Sequence, residues 1–144
     1  MEPTTLLGPL DALAPYVEYV ILGLVVANMG ARFLEHRSHV AQADDGGAEA
    51  ITRGPARVAT NLLLVIASFY YTTAHPHGGT VMSVLILTMV LSDVFEFEAR
   101  KVEARKEEAL DLPKAAISAS GLVLLYAAYQ ALFVLVEPFW SAIV

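Results

Sequence analysis

Asp93 sits in an otherwise apolar run, TVMSVLILTMVLSDVFEFE (80–98), with Glu96 three residues later. A carboxylate in such a run has two uses. It carries a proton or a cation, or it is held by buried donors as a joint between helices. Three other apolar runs each place a polar residue at a matching distance from one end: Asn28, Asn61, and Ser118 with Ser120. At about 1.5 Å of rise per helical residue, these positions form one polar layer about one and a half turns inside a membrane boundary. A charged set, Arg32, Arg57, Glu96 and Lys114, lies one turn nearer that boundary. Arg32 and Arg57 are the expected partners of Asp93 and Glu96. The layer reads first as glue between helices. The competing chemistry is a protonatable or cation-binding site around Asp93, which would make the chain a small oligomeric ion or proton transporter.

A second constellation is EHRSH at 35–39. On a helix, Glu35, His36 and His39 can share a face, and His with carboxylate suits Zn²⁺ or Fe. Asp93 or Glu96 would be a third ligand. The spacing is not HExxH, and a polar cluster beside a membrane is the commoner use of such residues. A third constellation, HPHGG at 75–79, reads as a tight turn. There is no GxSxG, P-loop, GxGxxG or HExxH, and no cysteine. The expectation is a protein that is not an enzyme and needs no cofactor. A net charge of −6 argues against nucleic acid as a partner.

The elements that position these residues follow from composition. With 56% hydrophobic and 17% charged residues in 144, there is too little polar surface for a water-soluble domain. Four apolar stretches, at about 15–34, 56–74, 80–98 and 115–136, each approach the roughly 20 residues that cross a bilayer as a helix. The expected fold is therefore an all-α, antiparallel bundle of four transmembrane helices forming a single membrane domain over 1–144. Residues 35–55 form the first charged loop, whose centre, ADDGGAEA, reads as flexible. Residues 99–114 form the second charged loop, in which ion-pair spacings continue helix 3 to about residue 109.

All nine Arg and Lys residues flank those two loops. The positive-inside rule then places both loops in the cytoplasm and both termini outside, in the plasma membrane. The N-terminal flank has no basic residue, which does not suit a cleaved signal peptide. Small residues at four-residue steps, Gly23, Ala27 and Ala31 in the first stretch and Ala116, Ser120, Ala127 and Ala131 in the last, allow close helix contacts. Besides the lipid bilayer, the expected partner is another protein or further copies of the chain. The function expected is a subunit or scaffold of a membrane complex.

PARVATNLLLVIASFYYTTAHPHGG (55–79) and DVFEFEARKVEAR (93–105) resemble segments of small four-span membrane proteins of halophilic archaea. That resemblance implies an archaeal plasma membrane and a high-salt cytoplasm, in keeping with the acidic balance. It carries no functional residues with it.

Overall fold

The computed structural model describes residues 8–110 and 112–143, apart from the side chains of 8–11, 134 and 135. Among these residues all regular secondary structure is helical. A 3₁₀ segment, Gly8–Tyr16, leads into α1 (Val17–Gly46). A second 3₁₀ turn, Gly47–Ala50, is followed by α2 (Pro55–Ala74), α3 (Pro76–Arg105) and α4 (Lys114–Ile143). Helix α1 packs on α2 and α4, and α3 packs on the same two. Contacts such as Asn28 with Asn61 and Glu18 with Tyr71 show α1 and α2 running in opposite directions.

Three helical segments, Ala12–Ala50, Pro76–Arg105 and Lys114–Phe133, are long and apolar enough to cross a membrane. Helix α2, which carries Arg57 and Asn61 in its first two turns, is not among them. The surface fits a membrane protein as well. Leu62, Phe95 and Leu125 are 60%, 71% and 69% exposed, whereas Arg32, Asn28 and His39 are 1%, 0% and 0% exposed. A chain in water would be expected to do the reverse.

Buried positions follow a spacing of three and four. In α1 they are Val17, Ile21, Val25, Asn28, Arg32, Glu35 and His39. In α2 they are Arg57, Asn61, Leu64, Ser68 and Tyr71. This is the seam of helices packed at a small crossing angle. One half of each seam is apolar and joins Met82, Ile86, Met89 and Val123 in the core. The other half is polar and builds the site described below. Helix α4 contributes small side chains, with Ala116, Ser120, Ala127 and Ala131 all buried. Gly23 and Ala27 lie on the opposite face of α1 and are exposed. The α1 seam runs through Ile21, Val25 and Asn28, and two residues further round a helix is about 200° away.

Several boundaries differ from the sequence expectation. Helix α1 continues past residue 34 to Gly46, so the segment expected to be a flexible loop is largely helix. It stops where Gly47 takes a φ of 70° and donates its backbone N–H to the Ala43 carbonyl. The chain then folds back, with Ile51 buried and Gln42 exchanging two hydrogen bonds with Thr52. The turn between α2 and α3 is only His75, because Pro76 supplies a helical φ at the first position of α3. Gly79 allows that turn: a Cβ there would lie 2.2 Å from the Thr72 Cα.

Helix α3 ends at Arg105 rather than near 109. Glu107 adopts a φ of 58°, its N–H bonds to the Ala104 carbonyl, and Glu108 N–H bonds to Glu103. This is a Schellman closure with glutamate where glycine is usual. Helix α4 runs on through Pro138 to Ile143, past the expected end at 136, with Phe139 and Trp140 exposed along it.

Candidate functional site

The polar halves of the three seams meet in one buried network. Arg32, on α1, grips Asp93, on α3, with two hydrogen bonds: Nε to Oδ1 at 3.0 Å and Nη2 to Oδ2 at 2.6 Å. Its Nη1 donates to Asn28 Oδ1 at 2.8 Å, one turn back along α1. Asn28 Nδ2 lies 2.7 Å from Asn61 Oδ1 and 2.7 Å from Thr60 Oγ1 on α2. Asn61 Nδ2 then donates to Asp93 Oδ2 at 2.8 Å. Asp93 is thus bound by two helices, with Arg57 Nη1 a further 3.4 Å contact.

A second carboxylate continues the network toward the charged end. Glu35 Oε1 accepts from Arg57 Nε at 2.7 Å and from Arg100 Nη1 at 3.2 Å. Its Oε2 accepts the backbone N–H of Gly54 at 2.6 Å. Gly54 is needed for that approach, because a Cβ would sit 2.8 Å from Glu35 Oε2 and 3.0 Å from Cγ. Arg100 Nη1 is also 2.9 Å from His39 Nδ1, while His39 Nε2 is 2.7 Å from the Thr52 carbonyl. Neutral histidine with its proton on Nε2 satisfies both contacts, donating to Thr52 and accepting from Arg100. The Phe97 ring packs on His39, and Arg53 lies 4.5 Å over that ring.

Charges buried this deeply are stable only when paired and hydrogen-bonded. Both carboxylates meet that condition. Three guanidinium groups, Arg32, Arg57 and Arg100, face two carboxylates, Asp93 and Glu35, so the buried set carries one excess positive charge.

The residues named from sequence fall into two groups. Asn28, Asn61, Asp93, Arg32 and Arg57 come together. Ser120 is buried but bonds back to the Ile117 carbonyl of its own helix, and Ser118 is exposed. Lys114 is exposed, and Glu96 accepts from the backbone N–H of Ala115 at 3.3 Å. Helix α4 therefore meets this end of the molecule through small side chains and one backbone cap. Of the metal-ligand candidates, Glu35 and His39 belong to the ion network. His36 Nδ1 is buried with no hydrogen-bond partner among the described residues. Among those residues no three His, Asp or Glu side chains are grouped to hold a metal.

A family model described as "Domain of unknown function (DUF7313)" matches residues 2–144. The chain belongs to that family. No curated protein and no solved structure matches it.

Arg100, Thr60 and the backbone groups of Thr52 and Gly54 were not among the residues singled out from sequence. Arg100 had a readable signal: it stands seven residues after Asp93, two turns along the same face of α3. The Gly54 and Thr52 contacts depend on how the chain turns after Gly46, and the sequence pattern carries no sign of them.

Proposed function

We propose that this chain is a non-enzymatic integral membrane protein, a subunit or scaffold of a membrane complex. It spans the plasma membrane four times. Residues 35–55 and 99–114 face the cytoplasm, and the 75–79 turn and both ends face outward. The bound state of Asp93 carries this reading. Its two oxygens are occupied by a bidentate arginine and an amide from two neighbouring helices. A carboxylate so held is a joint. Carrying a proton or a cation would first require breaking that pairing, which costs about 3–5 kcal/mol for a buried ion pair.

The outward face of α1 supports a protein partner. Gly23 and Gly30 have nothing within 4 Å of the place a Cβ would occupy. Beside them a groove of about 480 Å³ lies between α1 and α2, lined by Ala27, Gly30, Ala31, Leu34 and Ser38 among others. Small residues on an open membrane-helix face allow another helix to approach closely. The acidic composition and the resemblance to halophile proteins extend the proposal to an archaeal membrane at high salt. There, exposed charge pairs are screened beyond about 3 Å at 1 M, and the buried network keeps its strength.

The experiment is tagged purification from native membranes in mild detergent, followed by mass spectrometry. A second protein in fixed stoichiometry, lost from Gly30→Leu while the chain stays folded, is the expected result. A chain that purifies alone as a monomer contradicts the proposal. A homo-oligomer without other proteins moves the weight to transport around Asp93.

A further inference from the structure

One member of the network borders a groove on the exterior. Arg57, which joins Glu35 and Asp93, also lines a groove of about 210 Å³ between α2 and α3. Arg53 lines the same groove, held over the Phe97 ring. Both carboxylates of the network lie on the inner side of Arg57, already occupied by arginine, amide and backbone donors. Arg57 is thus already paired, and the exposed cation at this end of the groove is Arg53.

Away from those two arginines and Asn61 the groove is apolar. Leu62 and Val65 form one wall and Val90 and Val94 the other. From Arg57 to Val65 is eight helical residues, about 12 Å. The groove thus begins at the charged end of the apolar stretches and runs along the helices toward their middle. It opens on the exterior, where Leu62 is 60% and Val94 39% exposed. An exposed cation at a membrane boundary, continuous with an apolar channel along the helix axis, matches an anionic headgroup joined to an acyl chain.

We propose that this groove binds one anionic phospholipid, with its phosphate on Arg53 and an acyl chain lying between Leu62 and Val94. The inference needs the membrane placement of the chain and does not depend on a protein partner. A free phosphate would use only Arg53. A phospholipid uses the whole length, and the test separates the two.

Purified full-length protein in neutral detergent is titrated with phosphatidylglycerol, with phosphatidylcholine and with inorganic phosphate, and the thermal midpoint is followed. Phosphatidylglycerol is expected to raise the midpoint with an apparent affinity about fivefold or more above phosphatidylcholine, whose choline cation offsets the phosphate charge that faces the arginine. Inorganic phosphate at the same concentration leaves the midpoint unchanged. Arg53→Gln removes the preference for the anionic lipid, and Val94→Trp, which fills the groove, removes it as well. Lys106→Gln, at an exposed position past the end of α3, keeps it.

Equal shifts with the two lipids overturn the proposal, as does an equal shift from inorganic phosphate. So does a preference that survives both Arg53→Gln and Val94→Trp. Arg53 is exposed, so its replacement tests the headgroup end even where the groove-filling variant folds poorly.

Discussion

Asp93 and Arg32 are each almost fully buried, 4% and 1% exposed, and each is the other's main partner. Removing one strands the other. Asp93→Leu leaves Arg32 without a counter-charge and Arg57 with Glu35 alone, and is expected to lower stability by about 3–5 kcal/mol, the cost of breaking a buried pair. Arg32→Met is expected to do the same from the other side. The double variant removes both charges and is expected to be closer to wild type than either single one. A double-mutant cycle by thermal unfolding in detergent checks this, with a coupling of about 1 kcal/mol or more expected. Additive losses would mean the two side chains do not act on each other. Glu35 is a harder position to replace, because one carboxylate serves Arg57, Arg100 and the Gly54 backbone together.

At the scale of the element, the seams explain what was legible in the chain. Depth along the four apolar stretches brought Asn28, Asn61 and Asp93 to one level and Arg32 and Arg57 to the next, and side chains at neighbouring levels on facing seams meet. Depth alone carries no azimuth. Ser118 shares that level yet points outward, because the inner face of α4 is set by Ala116, Ala119 and Ser120. Gly23 and Ala27 likewise matched a packing pattern on a face that the bundle does not use. The α1 seam continues past the apolar stretch into Glu35 and His39, and following its three-and-four spacing would have extended the helix to Gly46. The composition of ADDGG instead suggested a loop.

Helix ends are set by single residues, and one of them is strained. Glu107 takes a left-handed φ of 58° to close α3, a conformation that costs an ordinary residue roughly 1–2 kcal/mol. Glu107→Gly is expected to stabilise the protein by about 1 kcal/mol, after allowing for the freer unfolded chain. A higher thermal midpoint at unchanged network geometry would show it, and a lower one would mean that Glu107 has a favourable contact of its own.

For the whole molecule, the charged interior and apolar exterior imply that the bilayer is the solvent. Burying Leu or Val between helices gains little when lipid is equally apolar. The ion network and the small side chains of α4 are then the main sources of helix-to-helix specificity. The proposed orientation has its own test. Asp45 and His77 are both exposed and lie at opposite ends of the bundle. An impermeant thiol reagent on intact cells is expected to label His77→Cys and to spare Asp45→Cys until the membrane is opened. Labelling of both in intact cells, or of Asp45→Cys alone, would refute it.

The central claim is that Asp93 fastens helices together and does not conduct. The most direct measurement is proton and Na⁺ flux into liposomes holding purified wild type and Asp93→Asn, each shown to be folded by its unfolding transition. The account predicts no flux above empty liposomes from either protein, with Asp93→Asn the less stable of the two. Flux through wild type that a folded Asp93→Asn abolishes would contradict it and make the same carboxylate part of a path.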